Sequence, residues 1–127
     1  MDDRQRKAAG LAAEDRALEH LRAQGLRLIA RNYRCRLGEI DLVMLHGTTL
    51  VLIEVRYRAS AAFGGAAASV TASKQRRLIL AAQHLLATRK ELRRLRARFD
   101  VVALDGALEQ PEIRWIRNAF TLDATWS

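Results

Sequence analysis

The chain has 127 residues, half of them hydrophobic, which is enough for one domain with a buried core and too short for two. Lys and Arg number 22 against 14 Asp and Glu, and the net charge of +8 favours an anionic partner, nucleic acid ahead of a membrane surface. No apolar run approaches the roughly 18 residues of a membrane span, the N-terminus MDDRQRKAAG lacks the apolar stretch of a secretory signal, and a single cysteine excludes an internal disulfide framework.

These bounds lead us to expect a single domain over residues 1–127, cytoplasmic or nucleoid-associated. Residues 5–24 contain no Pro, are rich in Ala, Leu, Arg and Glu, and stop at Gly25, which predicts a first helix with Gly25 at its C′ position. Leu11, Leu18 and Leu21 form its expected apolar stripe, and Glu14 falls within that stripe. Glu14 is then either an acid directed at the core or an acid at the stripe's edge, paired with Arg16 or with an arginine on a neighbouring strand. From Leu26 to Arg36 an imperfect alternation predicts a strand. Its Arg27, Arg31, Arg34 and Arg36 form a solvated sheet edge, the alternative being a rim that contacts phosphate. No His is placed by sequence to activate Cys35, which is assigned no role.

Residues 38–58, GEIDLVMLHGTTLVLIEVRYR, hold two apolar runs about Gly47-Thr48, the pattern of a hairpin. Pairing about that turn sets Asp41 opposite Glu54 and Glu39 opposite Arg56, all on one face. Like charges placed opposite destabilise a sheet, and carboxylates in a Leu/Val/Ile hairpin need a partner. Two partners satisfy the pattern. One is a hard divalent ion such as Mg²⁺ or Mn²⁺, which takes carboxylate oxygens and water. The other is Arg56, neutralising Glu39 and Glu54 on an exposed polar face.

The stretch RASAAFGGAAAS, residues 58–69, reads as a flexible loop, either one that gates or contacts a substrate or simple slack, with Phe63 anchoring it or, as the alternative, stacking on a base. Thr71 is the expected N-cap of a second helix running to about Thr88, with Leu78, Ala81 or Ala82, and Leu85 buried. Lys74 is in line with that stripe, so its stem follows the buried side while its ammonium reaches past the helix start, with Gln75 as its neighbour. RKELRRLRAR, residues 89–98, is the densest basic patch, either a solvated face or a surface for backbone phosphates. Phe99 to Leu104 predicts a strand, Asp105-Gly106 a turn, and Ile113 to Arg117 a closing strand.

With Glu14, Asp41 and Glu54-Val55-Arg56 in this order, the chain resembles the PD-(D/E)XK, or restriction-endonuclease-like, nuclease superfamily. It is more closely similar to the YraN family of bacterial proteins, regarded as predicted endonucleases and distantly similar to archaeal Holliday junction resolvases. The resemblance covers nearly the whole chain and rests on AAGLAAEDRAL, RNYRCRLGEIDLVM, LVLIEVRYR, FGGAAASV, KQRRL and RFDVVA in that order.

The resemblance implies an α/β fold with an αβββαβ core and a mixed central sheet flanked by helices. It implies that Asp41, Glu54 and the Val55 carbonyl hold Mg²⁺ or Mn²⁺, that Glu14 holds water at that metal, and that Lys74 and Gln75 support the site from the second helix. The catalytic set is then Glu14, Asp41, Glu54, Arg56 and Lys74, and the reaction is phosphodiester hydrolysis in DNA, branched or flapped. Arg58, Lys74, Gln75, Arg89, Lys90, Arg93 and Arg94 are the expected nucleic-acid contacts, and a homodimer is a possible assembly. Asp100 is expected to be structural at the start of a strand. The chain departs from the motif at Arg56, where the superfamily has lysine. Arg stays protonated, so it can bind phosphate or stabilise charge but cannot take a proton from water. Ala13 replaces a glycine often seen before the helix acid, a change compatible with a helix. The competing expectation is a non-catalytic nucleic-acid-binding module, or an adaptor for a DNA-processing partner, in which the acids pair with Arg56 or hold a structural ion.

Overall fold

The structure is a computed structural model that describes residues 2–60 and 64–120. Helix α1 spans Asp3–Ala23 and starts in a capping box, with the Asp2 side chain accepting from the Gln5 N–H and the Gln5 side chain accepting from the Asp2 N–H. It ends at Gln24, followed by Gly25 with φ +92°, the left-handed conformation expected at C′. Strands β1 (Arg27–Cys35), β2 (Gly38–His46) and β3 (Thr49–Arg58) follow. Helix α2 (Ala72–Thr88) is capped by Thr71, whose hydroxyl accepts from the Lys74 N–H, and leads to β4 (Arg96–Asp105) and β5 (Glu112–Phe120). The predicted αβββαβ order is present, with β5 closing the sheet and both final strands longer than the sequence pattern indicates.

The sheet runs β1-β2-β3-β4-β5 and is mixed, since β3 and β4 are parallel and the other three pairs antiparallel. Parallel pairing needs a crossover between its strands, and α2 supplies it. The two helices cover opposite faces. On one side Ala13, Ala17, Leu18 and Leu21 of α1 pack against Leu42, Met44, Ile53 and Val102. On the other, Leu78, Ile79 and Leu85 of α2 pack against Ile40, Val43, Leu50 and Leu52. Each of these Leu, Ile, Val and Met side chains contributes about 1.5–3 kcal/mol on burial, and each alanine less. Among the described residues no helix is long and apolar enough to cross a membrane.

The stripe expected on α1 is corrected at Leu11, which is 53% exposed. The small side chains of Ala13 and Ala17 lie flat against the sheet and set the centre of the buried arc. Leu11 points roughly 80° away from Leu21 at 100° per residue and turns out to solvent. Glu14 stays within the arc. Strand β1 is the sheet edge, and its imperfect alternation has a local cause, a register shift between Leu28 and Ala30 followed by Asn32 at φ +55°.

The link from β3 to α2 is ordered where it is described. Ala67–Ser69 form a 3-10 turn, Ala66 is buried, and its N–H donates to Asp105 Oδ1 at 2.8 Å. A Cβ at Gly65, where φ is +68°, would meet that same oxygen at 2.6 Å, so the chain passes Asp105 as bare backbone. Phe63 lies outside the described residues. Asp100 is fully buried within β4, accepting from Arg98 Nε, Trp115 Nε1 and the Asn118 N–H, and so ties β5 to β4. That is the structural role expected of it.

Candidate functional site

The β2–β3 ladder keeps the predicted register from His46↔Thr49 to Leu42↔Ile53. Gly47 has φ +64° while Thr48 does not, the signature of a type II′ hairpin turn. Beyond Ile53 the strands part. Asp41 and Glu54 do not continue the ladder, and Asp41 Oδ2 instead accepts the Val55 N–H at 2.8 Å. Strand β2 remains with β1, whose ladder steps over Asn32 and Asp41 between Arg31↔Leu42 and Tyr33↔Ile40. A strand residue directs its N–H and C=O to the same side, so the Val55 carbonyl also faces the opening.

That opening is a cavity of about 580 Å³ between α1 and the parted strands, lined by Glu14, Glu39, Asp41, Glu54, Val55, Arg56 and Arg58 together with Arg6 and Gly10 of α1. A smaller cavity of about 210 Å³ lies toward α2, lined by Glu39, Glu54, Arg56, Lys74 and Arg77. Glu39, Glu54 and Arg56 are common to both. The structure thus brings Glu14, Asp41, Glu54, Val55, Arg56, Arg58 and Lys74 to one end of the sheet.

Glu14 enters from α1 with its side chain 14% exposed and pairs with Arg31 Nε of β1 at 3.4 Å. It is therefore both inward and paired, and its partner is not Arg16, which donates to the Glu109 carbonyl. Glu39 pairs with Arg34 at 3.7 Å rather than with Arg56, because β2 follows β1 after leaving β3. Arg56 holds two partners at once: its Nη1 lies 3.5 Å from Glu54 Oε1, and its Nε donates to Ser69 Oγ at 2.8 Å. Ser69 in turn donates to the Ala66 carbonyl at 2.6 Å.

Burial, then the charge of Glu54, pushes the Asp41 carboxyl up to about 8, against the pull of the Val55 N–H. Burial also raises Glu54, opposed by the charges of Arg56 and Lys74. Lys74 is lowered by burial and by Arg56 and Arg58. Two carboxylates in one partly dry cleft cannot both ionise cheaply, so they keep a proton or take a cation. The oxygen-only donor set of Asp41, Glu54 and the Val55 carbonyl fits a hard divalent ion that retains several waters. Among the described residues no group of three or more His, Cys, Asp or Glu side chains is gathered to hold a metal ion.

The other expected nucleic-acid contacts are elsewhere or engaged. Gln75 donates to the Val70 carbonyl at 3.3 Å. Arg89, Lys90, Arg93 and Arg94 follow the C-terminus of α2, roughly 22 Å from Lys74 at 1.5 Å per residue. Arg89 pairs with Glu91 at 2.8 Å, and Arg93 caps α2 by donating to the Leu86 and Ala87 carbonyls. Arg77, Ser69 and Gly38 were not legible as site residues. A signal existed for one of them: Arg77 follows Lys74 by three residues and therefore shares its helix face.

Fold and site together define an α/β protein of restriction-endonuclease-like topology with a carboxylate pair where two strands part. Residues 13–104 match the family described as Uncharacterised protein family UPF0102. The chain belongs to this family, in accord with its resemblance to YraN proteins. It is 54% identical over 122 residues to a UPF0102 protein of Pseudomonas entomophila, covering 94% of this chain and 98% of that one. It is 55% identical over 120 residues to a UPF0102 protein of Cupriavidus taiwanensis, covering 94% and 87% of the two chains. A third relative, from Saccharophagus degradans, is 54% identical over 114 residues, with 90% and 93% covered.

Proposed function

We propose that this chain is a divalent-metal-dependent nuclease acting on DNA, branched or flapped, that hydrolyses a phosphodiester in the cleft between α1 and the parted strands. The observation that carries this reading is the Asp41 and Glu54 pair: two carboxylates raised by burial that line one cavity with Val55, whose N–H Asp41 accepts. When bound there, Mg²⁺ or Mn²⁺ supplies positive charge to the scissile phosphate and makes water more acidic. Glu14, on the opposite wall, orients the attacking water. Arg56 and Lys74 offset the charge that develops on the phosphate. Arg56 takes no proton, because its guanidinium stays charged.

A second reading has its own support. The Arg56–Glu54 ion pair at 3.5 Å gives one acid a cation from the protein itself, as a non-catalytic nucleic-acid-binding module or adaptor would need. One experiment separates the two. Purified protein is incubated with Mn²⁺ or Mg²⁺ on junction, flap, single-stranded and duplex DNA beside Asp41→Ala and Glu54→Ala. The nuclease reading expects cleavage by the wild type that both substitutions abolish. Binding without cleavage supports the module, and cleavage that survives both substitutions sinks the nuclease.

A further inference from the structure

The small cavity between β3 and α2 shares Glu39, Glu54 and Arg56 with the carboxylate cleft and adds two cations, Lys74 and Arg77. Its volume, about 210 Å³, lies below the roughly 300–1,000 Å³ of ordinary small-molecule pockets, so it suits one compact group. Three cations, Arg56, Lys74 and Arg77, line it with two acids, Glu39 and Glu54. Both acids already have an arginine: Glu39 has Arg34 at 3.7 Å and Glu54 has Arg56 at 3.5 Å. Among the described residues the Arg77 side chain has no ion pair, and Lys74 forms none within 4.0 Å. The cavity therefore holds positive charge that its own acids do not meet.

This crowding of cations is fixed by the backbone. A Cβ on Gly38 would lie 1.9 Å from the Arg77 carbonyl oxygen and 3.0 Å from its Cα, so only glycine lets α2 press this closely on the start of β2. Lys74 and Arg77, three residues apart, then share the helix face turned to the cavity. The ammonium of Lys74 is pushed down by burial and by its neighbours Arg56 and Arg58, as expected where cations are gathered ahead of their anion. A fork-shaped guanidinium beside an ammonium matches the oxygens of a phosphate.

We propose that Arg77 forms a subsite for one phosphate group of a nucleic-acid strand, beside the scissile phosphate addressed by Asp41 and Glu54, with Lys74 and Arg56 shared between the two. The subsite rests on the nucleic-acid reading above but requires no cleavage. Its source is either a terminal phosphate monoester or an internal phosphodiester, and the test separates them.

Binding of 3′-labelled thymidine oligonucleotides with and without a 5′-phosphate is followed by fluorescence anisotropy in EDTA across a salt series. Arg77→Gln is compared with Arg22→Gln, an equal charge change on the exposed end of α1. Arg77→Gln should weaken binding about tenfold and lower the salt slope by about 0.7, the value for one lost contact to a single strand. Arg77→Lys should restore most of the slope. Arg22→Gln should leave the slope at the wild-type value. A loss confined to the phosphorylated oligonucleotide assigns a terminal monoester, and an equal loss on both assigns an internal diester. Equal behaviour of Arg77→Gln and Arg22→Gln overturns the subsite, as does a wild-type chain that binds neither oligonucleotide. Because metal is absent, a failed cleavage assay leaves this result standing.

Discussion

Asp41 Oδ2 accepts the Val55 N–H at 2.8 Å across the point where β2 and β3 part. A side chain there takes the bond that a strand carbonyl would otherwise take, so the break in the ladder is satisfied from within. The same break leaves Asp41 and Glu54 in one partly buried cleft. Ending the pairing and building the site are one event in this fold.

The pH dependence of stability follows from this placement. The folded Asp41 carboxyl titrates near 8, above its unfolded value near 4. The folded chain therefore holds the extra proton, and its stabilisation is full below pH ~4 and lost as pH rises through ~8. Metal-free wild type should show a falling Tm from pH 5 to pH 9. Asp41→Asn keeps an oxygen for the Val55 N–H and removes the charge. It should flatten that profile and exceed wild type at pH 9 by on the order of 2–4 kcal/mol. Parallel profiles for the two proteins would refute the assignment.

Divalent ions should act on the same carboxylates. Mn²⁺ at a hundred times its Kd should stabilise wild type by about 2.7 kcal/mol at pH 8, and EDTA should reverse the gain. Glu54→Gln should lose the response, since it removes one of the two carboxylates proposed to hold the ion. A Tm of wild type that ignores Mn²⁺ would favour the Arg56-paired, non-catalytic reading.

The hairpin register, the Thr71 cap, the Gly25 terminus and the inward turn of Glu14 were all legible, because each depends on neighbours within one element or one turn. Leu11 was misread because hydrophobicity ranks leucine above alanine, whereas close contact between helix and sheet selects Ala13 and Ala17. Glu39 was assigned to Arg56 because pairing rules carry a ladder to the end of both strands. Nothing in the sequence marks the step at Asn32 and Asp41 where β2 leaves β3. Ser69 was missed because Arg56, to which it is bonded, lies on another element, and Arg77 because the close approach of α2 to Gly38 is a tertiary contact.

Gly38 and Gly10 should respond to alanine with opposite signs. Neither has a positive φ, so the contrast is steric. Gly38→Ala drives its Cβ into the Arg77 carbonyl and should destabilise by about 1–3 kcal/mol, and by more if α2 cannot shift. Gly10→Ala, in the middle of α1 with nothing within 4 Å, should stabilise by about 0.5–1 kcal/mol. Urea unfolding at pH 6 reads both. A neutral Gly38→Ala would show that α2 is not held at β2 by this contact.

Asp100 should matter to the fold and not to the site. Replacing it by Ala leaves Arg98 Nε, Trp115 Nε1 and the Asn118 N–H without their acceptor inside β4 and β5. The expected loss is about 3–5 kcal/mol. At a temperature where the variant remains folded, its Mn²⁺ response should match wild type. A stable variant that loses Mn²⁺ binding would contradict the structural role.

In the nuclease proposed above, Arg56 contributes a fixed positive charge to cleavage. Its Nε is fixed by Ser69 and its Nη1 by Glu54, so the guanidinium is a charge held in place rather than a proton carrier. Arg56→Lys restores the superfamily's residue type yet gives up the fork that meets both partners. We expect it to lower turnover, about tenfold, rather than raise it. Ser69→Ala should lower turnover in the same direction by a smaller factor, because it frees the guanidinium without removing it. The two changes act through one contact, so Ser69→Ala should have little further effect in the Arg56→Lys background. A new pH limb should arise only with lysine, which titrates. If the losses multiply independently, Ser69 does not work through Arg56. If Arg56→Lys is the faster enzyme, a proton acceptor at this position limits the natural chain, and the fixed-charge role is wrong.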